Sequence, residues 1–380
     1  MTGAGHRTIY FDWNATTPPL AEVIDAMREA AREAWGNPSS IHGTGRAARA
    51  QVESAREAVA ELVGADPRDV VLTSGGTEAN NLAIRSAFAE MPRDLRRVLI
   101  TSRLEHPSVT RVAEALEREG AARVLWVVVR EDGRLDLDSL DAALADADVG
   151  LVTVQAVNHE TGVVQPVSDV IRKVGTHARN PHVHVDAVQA FGRLDVATIA
   201  QADTIALAGH KIRGPKGIGA LVARLGVRLS PLMFGGAQER GLRPGTLDPV
   251  AAAGLAVAAR HARTSAPRYL SVAPLRDKLE ARLVALGGRR VGTAPRAPHV
   301  ANLAFGRWPG AELVAAFDLE GLAVSSGSAC SAGTIEPSPV VTSMLGAELA
   351  RSCVRFSLGE DATLQSVDAA IAIAERVLGR

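Results

Sequence analysis

The chain has very little lysine. Lysine and arginine together number 42 among 380 residues, but only Lys173, Lys211, Lys216 and Lys278 are lysine. Arginine keeps its proton in proteins, whereas a partly desolvated lysine can become a free amine. A chain with this bias should keep lysine mainly where an amine is required, and a Schiff base to a carbonyl cofactor is the leading such role. The alternative for Lys211 and Lys216 is an ordinary glycine-rich turn with surface lysines.

Other scarce residues and patterns exclude several classes of protein. Only two cysteines occur, Cys330 and Cys353, which is too few for a disulfide framework. The formal net charge is zero, so the composition does not indicate a basic protein that binds nucleic acid or an anionic membrane. No apolar run reaches the roughly 18 residues that a spanning helix needs, and residues 1–7 lack the apolar core of a secretion signal. We therefore expect a cytoplasmic protein.

Between residues 17 and 262 helical spacing alternates with short apolar runs, which predicts a large doubly wound α/β domain with a mainly parallel sheet. Val52, Ala55, Val59 and Leu62 are one example of the helical spacing. Several of the runs are apolar on both faces, as strands covered by helices on both sides must be. The predicted strands are residues 70–73, 98–101, 124–129, 149–157 and 183–188.

The order of elements changes after residue 263, which predicts a second, smaller α+β domain made of residues 1–16 and 263–380. A chain of 39.7 kDa has ample length for two domains. The predicted elements of the small domain are helix 274–286, strand 302–305, helix 311–319, strand 354–358 and a last helix. The last helix should bury a stripe formed by Val367, Ala370, Ile371, Ala374 and Leu378.

Polar residues at the ends of predicted strands are candidates for a ligand site, because ligands of open α/β sheets bind beyond the carboxyl ends of the strands. The turn at 73–78 (Thr-Ser-Gly-Gly-Thr-Glu) offers backbone N–H groups and a helix N-terminus to a phosphate, although many strand–helix turns contain glycine. His106 follows the second predicted strand and precedes Pro107, where it is either a helix-end residue or a catalyst. Asn158 ends the fourth predicted strand.

Two histidines and an aspartate share one face of the last predicted strand of the large domain, at His182, His184 and Asp186. Zinc binding is one interpretation, since imidazole and carboxylate are ordinary zinc ligands. In the other, Asp186 stands at the end of the strand near Gln189 and pairs with a protonated ring nitrogen.

The small domain adds a cysteine and an arginine. Residues 325–333 (Ser-Ser-Gly-Ser-Ala-Cys-Ser-Ala-Gly) are a run of small residues that carries Cys330 and packs little surface, so we expect a mobile loop. Cys353 stands in an apolar strand pattern, which favours a core residue over a sulfur relay. Arg355 on the same strand suits either a surface ion pair or bidentate recognition of a carboxylate.

Taken together, six segments resemble the cysteine desulfurases of the class V aminotransferase group, which use pyridoxal 5'-phosphate (PLP). The resemblance runs from Tyr10 to the last helix and implies the PLP-dependent transferase fold type I. The segments are 36–42 (Gly-Asn-Pro-Ser-Ser-Ile-His), 77–81 (Thr-Glu-Ala-Asn-Asn), 105–107 (Glu-His-Pro), 184–189 (His-Val-Asp-Ala-Val-Gln), 209–219 and 325–333.

The resemblance assigns expected roles around the cofactor ring. Lys211 should bind PLP covalently and later move the α proton of the substrate. Asp186 should pair with the pyridine nitrogen and keep it protonated, which makes the ring an electron sink. Gln189 and Asn158 should bond the phenolic oxygen of the ring. His106 should stack on the ring and act as an acid or base near neutral pH.

The resemblance also implies a phosphate site and a substrate site. Gly76, Thr77 and His210 should bind the phosphate of PLP. Thr246 should reach the phosphate of a second subunit, so a homodimer is expected. Arg355, together with Asn158, should bind L-cysteine at its carboxylate. No metal is expected at the site.

In this family Cys330 would be the nucleophile that takes the sulfur of L-cysteine as a persulfide, while alanine leaves. The loop from 325 to 339 resembles the longer version found in the family, which favours transfer of sulfur to an acceptor protein. Iron–sulfur cluster assembly, tRNA thiolation and cofactor biosynthesis are the pathways implied. The alternatives are a selenocysteine lyase or aminotransferase on the same fold and, in a different class, a non-catalytic scaffold for sulfur transfer.

One residue departs from the family pattern. Ala208 stands where relatives usually carry a serine or threonine whose hydroxyl binds the PLP phosphate. The loss of one charge-assisted hydrogen bond costs roughly 1.5–3 kcal/mol. The sequence therefore predicts weaker retention of PLP than in typical relatives, with activity kept.

Overall fold

The structure is a computed structural model, and it describes residues 8–89, 97–146, 148–178, 180–197, 199–327 and 337–379. Cys330, the predicted nucleophile, lies outside the described residues. In the part of the chain that is described, no helix is both long enough and apolar enough to cross a membrane.

Strands of the described residues form three sheets. Numbered along the chain, the strands are β1 Ile9–Tyr10, β2 Val70–Thr73, β3 Val98–Ser102, β4 Arg123–Val127, β5 Val149–Gln155, β6 His182–Asp186, β7 Thr204–Ala208, β8 Gly219–Ala223, β9 Arg289–Arg290, β10 Val300–Ala304, β11 Leu322–Ala323 and β12 Cys353–Ser357. The large sheet has seven strands in the order β2-β8-β7-β6-β5-β3-β4. In this sheet β8 runs antiparallel to both of its neighbours, β2 and β7, and the other strand pairs are parallel, so the sheet is mainly parallel, as predicted.

Helices cover both faces of the large sheet. Side chains alternate along β2, where Val70 and Leu72 join the main apolar core and Val71 joins a second core on the opposite face. The helices are α1 Ala21–Glu33, α2 Gly43–Val63, α3 Gly76–Ala89, α4 Pro107–Arg118, α5 Leu137–Leu144, α6 Val167–Gly175, α7 Pro249–Ala262, α8 Ala266–Ala285, α9 Gly310–Leu319, α10 Pro339–Leu345, α11 Ala347–Ala350 and α12 Leu364–Leu378.

A separate apolar core joins the beginning of the chain to its last third. Phe11 packs there with residues of α8, α9, β10, β12 and α12. The antiparallel sheet β12-β10-β9 lies beside this core, and β1 pairs in parallel with β11. The beginning of the chain is thus packed against its last third, and the predicted domain boundaries stay a prediction.

Most predicted elements are found, and the main differences concern two strands of the large sheet, α8 and α12. β7 and β8 are not among the predicted strands, and their alanine and glycine content explains why, because these residues have low strand propensity. The helix predicted at 274–286 begins at Ala266, so Pro274 lies inside α8. In α12 the fully buried positions include Ile373 and Val377, whereas Ile371 and Leu378 are only partly buried.

Candidate active site

A cavity of about 190 Å³ lies at the carboxyl ends of the parallel strands. Gln155, Asp186 and Ala208 line it from the last residues of β5, β6 and β7. This is the position that the topology of an open α/β sheet dictates for a ligand. The other lining residues are Asn14, Ala15, Gly76, Thr77, Asn80, His106, Ser108, Val157, His159, Val188, Gln189, His210, Lys211 and Arg355.

Lys211 presents its amine to this cavity. The residue ends a short 3-10 turn, Gly209–Lys211, that follows β7 directly. Its Nζ donates to the carbonyl oxygens of Asn14 at 2.5 Å and Ala15 at 2.8 Å. Lys216, the other lysine of the same segment, is exposed. Of these two lysines, Lys211 lines the cavity and Lys216 does not. A lysine that binds a carbonyl cofactor must lie in such a cavity, so Lys211 is the candidate for that role.

Asp186 is held rigidly at the end of β6, and only 7% of it is exposed. Its Oδ2 accepts a hydrogen bond from Asn80 Nδ2 at 2.7 Å, and its Oδ1 accepts one from the backbone N–H of Val188 at 3.0 Å. Two N–H donors fix the plane of the carboxylate, because each oxygen has its own partner. An oriented carboxylate of this kind can pair with a protonated ring nitrogen.

His106 caps the N-terminus of α4, and Pro107 is the first residue of that helix, as expected. The backbone N–H of Ser108 donates to His106 Nδ1 at 3.1 Å. Burial lowers the pKa of His106; the Asp186 carboxylate opposes this shift and Lys211 adds to it. The ring meets the ring of His159 edge to face, with centroids 5.1 Å apart. His106 is therefore a neutral acid or base at the cavity wall near pH 7.

The opposite end of the cavity is suited to an anion. Gly76 begins α3, so the positive end of that helix points toward the space lined by Gly76, Thr77 and Ala208. A Cβ on Gly76 would lie 2.7 Å from Val188 Cγ2, so a larger residue would displace its neighbours. His210 also lines this end, and burial together with nearby cationic groups lowers its pKa to about 4.

The structure separates the two residues predicted to bond the ring oxygen. Gln189 lines the cavity, where its Nε2 donates to the carbonyl of Asn14 at 2.9 Å and its Oε1 accepts from Arg193. Asn158 is fully buried, and its Oδ1 accepts from the backbone N–H groups of Glu160 at 2.9 Å and Thr161 at 2.8 Å. The amide of Asn158 thus shapes a turn, and among the described residues the cavity lining does not include it.

The next residue along the chain, His159, does reach the cavity. It lines the cavity, and neither ring nitrogen has a hydrogen-bond partner among the described residues. Burial, followed by electrostatic interactions with His106 and Arg355, keeps the pKa of His159 well below its ordinary value. Sequence reasoning missed this histidine by one position, since it follows Asn158 directly.

Arg355 lies on β12 and reaches the same cavity, although it is only 1% exposed. Its Nη2 donates to Asp12 Oδ1 at 2.6 Å and its Nη1 to the carbonyl oxygen of His159 at 2.8 Å. These bonds fix the planar guanidinium in one orientation. The surface ion pair considered for this residue is therefore wrong, because the pair with Asp12 is buried at the arginine end.

The two described ends of the segment that carries Cys330 lie beside the cavity. Ser325 exchanges two backbone hydrogen bonds with Arg355, at 2.7 and 3.2 Å. A Cβ on Gly327 would lie 3.2 Å from Glu160 Oε2, and Ser338 Oγ donates to the same oxygen at 2.6 Å. Both flanks of residues 328–336 are thus fixed next to one buried carboxyl group.

Cys353 and Thr246 lie apart from the cavity. Cys353 is 1% exposed in an apolar cluster, and burial raises the pKa of its thiol to about 12, which supports the core interpretation. Thr246 is exposed, as a residue that serves a second subunit would be. Among the described residues, no group of three or more His, Cys, Asp or Glu side chains could hold a metal ion.

PLP fits the donors that this cavity collects. The cofactor needs an amine for its carbonyl carbon, a carboxylate for its ring nitrogen and a phosphate site. Lys211, Asp186 and the N-terminus of α3 supply these three groups on the walls of a single cavity. In the structure each of the three follows or ends a different strand of the large sheet: α3 follows β2, Asp186 ends β6 and Lys211 follows β7.

Comparisons with known proteins identify the family of this chain. The family model for aminotransferase class-V matches residues 9–370. A cysteine desulfurase of Rhodobacter capsulatus is 41% identical over 376 residues, which cover 97% of this chain and 96% of the relative. A cysteine desulfurase of Trichormus azollae is 39% identical over 381 residues, covering 98% and 93%. A solved structure of a NifS-like protein superposes with a TM-score of 0.90 at 32% identity, covering 98% of this chain and 99% of that one. The chain therefore belongs to the class-V aminotransferase family.

Proposed function

We propose that this protein is a PLP-dependent cysteine desulfurase. In the net reaction L-cysteine and the thiol of Cys330 give L-alanine and a Cys330 persulfide. The C–S bond of the substrate breaks, an S–S bond forms on the enzyme, and the hydrogen that the two thiols lose in total ends on the new methyl group of alanine. Atoms and electrons balance without an added oxidant or reductant. Relatives of about 40% identity over nearly the whole chain carry this name.

One observation carries the proposal: the Lys211 amine, the Asp186 carboxylate and the Arg355 guanidinium all line one cavity. A free amino acid with a small side chain offers an amine and a carboxylate to that set. Arg355 would bind the substrate carboxylate, since its orientation is fixed before the substrate arrives. Fixing the carboxylate would in turn orient the α carbon toward Lys211.

Different residues of this chain would then hold or move the protons of the reaction. PLP, when bound through Lys211, would supply an electron sink conjugated to the α carbon of the substrate. Asp186 would hold the proton on the ring nitrogen. The Lys211 amine would move the α proton, and His106, neutral near pH 7, would give or accept a proton at the opposite wall. Gly76, Thr77 and His210 would hold the phosphate.

The location of the flanks of residues 328–336 supports Cys330 as the nucleophile. Gly327 and Ser338 both lie at Glu160, and the neighbouring residue His159 lines the cavity. These contacts hold both described flanks of the segment that carries Cys330 near the cavity wall. The same segment would deliver the persulfide sulfur to an acceptor protein at the surface.

Three finer parts of the function belong to the same proposal. The protein would act as a homodimer in which Thr246 of each subunit completes the phosphate site of the other. It would work in the cytoplasm. Its sulfur would pass to an iron–sulfur scaffold or a sulfur carrier.

The test is to map the sulfur directly. PLP-loaded protein is incubated with L-cysteine, alkylated without reductant, digested and analysed by peptide mass spectrometry. We expect one additional sulfur on the peptide that contains Cys330. Cys353 is an internal control, because its buried thiol with a raised pKa should stay unmodified.

Two variants separate the alternatives. Cys330→Ser should form no persulfide and lose alanine production, whereas full turnover of L-cysteine by this variant would favour a lyase or an aminotransferase. Lys211→Ala should lose both reactions. A protein that binds PLP but yields neither alanine nor persulfide with any acceptor would instead support the non-catalytic scaffold.

A further inference from the structure

A chain of buried hydrogen bonds begins at His182, the first residue of β6. His182 Nε2 lies 2.9 Å from Thr204 Oγ1, and the same hydroxyl lies 3.0 Å from His184 Nδ1. The other ring nitrogen of His184, Nε2, lies 2.9 Å from Asn80 Oδ1. Thr204 and His184 are wholly buried, and Asn80 is 1% exposed. The two histidines that suggested zinc are therefore engaged with a hydroxyl and an amide.

Asn80 connects this chain to two residues of the proposed reaction. Its Nδ2 donates to Asp186 Oδ2 at 2.7 Å and to Ser108 Oγ at 2.8 Å. Ser108 Oγ lies 2.8 Å from His106 Nδ1. One amide on α3 thus contacts the carboxylate directly and the His106 ring through a single hydroxyl.

The chemistry of each group fixes the direction of the bonds. An ionised Asp186 can only accept, so the amide nitrogen of Asn80 must face it and the amide oxygen must face His184. That oxygen also only accepts, so His184 must carry its proton on Nε2. Its Nδ1 is then an acceptor for the hydroxyl hydrogen of Thr204. Burial lowers the pKa of His184 to about 3, which agrees with a neutral ring that holds one proton.

The same reasoning fixes the tautomer of His106. The backbone N–H of Ser108 donates to His106 Nδ1, so this nitrogen is unprotonated. Ser108 Oγ accepts from Asn80 and can therefore give its own hydrogen to Nδ1. In the neutral ring the proton of His106 is then on Nε2.

We propose that His184 and Asn80 are positioning residues of this enzyme. His184 fixes the Asn80 amide, and that amide orients both the Asp186 carboxylate and the Ser108 hydroxyl, which together with the Ser108 backbone N–H keeps His106 Nδ1 unprotonated. Asp186 and His106 are thus both positioned through one buried amide. The proposal rests on the proposed function, since it assigns work to Asp186 and His106.

The test compares two replacements of His184. His184→Gln keeps a side-chain N–H that can donate to Asn80 Oδ1, whereas His184→Leu removes the donor and keeps apolar bulk. His182→Leu, at the outer end of the chain, is the matched control because the bond from His184 to Asn80 remains. PLP affinity is measured by absorbance titration of cofactor-free protein in the absence of L-cysteine. The kcat and KM for L-cysteine and the thermal midpoint are measured separately.

We expect His184→Leu to weaken PLP binding and to lower kcat, each by about tenfold or more, with KM changed by less than about twofold. His184→Gln should recover most of both losses, and His182→Leu should stay near wild type. Equal losses in His184→Gln and His184→Leu, or a fall in thermal midpoint with PLP affinity and the ratio of kcat to KM unchanged, would overturn the proposal. PLP affinity does not depend on sulfur transfer, so this result stands apart from the test of desulfurase activity.

Discussion

Replacing Glu105 by glutamine should change how the stability of this protein depends on pH. Glu105 follows β3 and is 3% exposed, and its Oε1 accepts a hydrogen bond from the backbone N–H of Gln155 at 2.6 Å. Burial, reinforced by the negative charge of Asp186, raises the pKa of Glu105 from 4.5 to about 8. The native protein therefore keeps this carboxyl group protonated at pH 7.

The sign and size of the effect follow from that shift. Below pH 4.5 both the folded and the unfolded chain hold the proton, so Glu105 causes no loss of stability. Between pH 4.5 and about 8 the unfolded chain ionises while the folded chain does not. Each pH unit then lowers the free energy of unfolding by about 1.4 kcal/mol. Over the interval from pH 5 to pH 7 the loss attributable to Glu105 is about 2–3 kcal/mol.

Glu105→Gln removes this loss, because glutamine cannot ionise but still accepts the bond from Gln155. The additional amide N–H is buried and costs about 1–3 kcal/mol, but this cost is the same at both pH values. The measured quantity is the free energy of unfolding by guanidinium of wild type and variant, without cofactor and at equal protein concentration, at pH 5 and pH 7. The difference between the two proteins should shift by about 2–3 kcal/mol in favour of the variant at pH 7.

A control and a refuting result complete this prediction. Glu57→Gln, at an exposed position of α2, makes the same chemical change outside the core and should leave the pH dependence of wild type intact. If Glu105→Gln and wild type lose stability in parallel between pH 5 and pH 7, Glu105 is ionised in the folded protein and the reasoning is wrong.

Three further predictions concern the site. Ala208→Ser should tighten PLP binding by about tenfold to a hundredfold in an absorbance titration, because a hydroxyl is added at the phosphate end; unchanged affinity would refute the predicted weakness. Lys211→Ala should lose PLP on gel filtration while Lys216→Ala retains it, and equal loss in both would remove Lys211 from its role. Arg355→Lys should raise the KM for L-cysteine by about tenfold or more with PLP affinity unchanged, since lysine cannot make the bidentate contact; an unchanged KM would place the substrate carboxylate elsewhere.

The family, the fold and the use of PLP predicted from the sequence are confirmed by the comparisons. The cavity could be predicted because parallel strands bring their carboxyl ends to one edge. Asp186 ends β6 and Lys211 follows β7, so their proximity follows from strand order. The long-range contact of Arg355 with this cavity required the resemblance, since no local pattern places β12 beside β5.

The sequence predicts Asn158 for the site and does not identify His159. Both follow β5, and either residue type can bind a polar ligand. In the structure the Asn158 amide accepts two backbone N–H groups of the next turn, and His159 rather than Asn158 is among the described residues that line the cavity. The Asn158 side chain can bond either a ligand or the nearby backbone. Residue type and spacing do not show which of the two it bonds. The His184–Asn80 contact was hidden for a similar reason, because its residues come from α3 and β6.

The turn after β5 also connects the large sheet to the last third of the chain at the site. The carbonyl of His159 accepts from Arg355, and the side chain of Glu160 accepts from Ser338. The backbone of Arg355 in turn pairs with Ser325. The arginine that would hold the substrate and both flanks of the segment that carries Cys330 are therefore tied to the same few residues of the large sheet. A shift of this turn would therefore move the Arg355 guanidinium and both described flanks of that segment together.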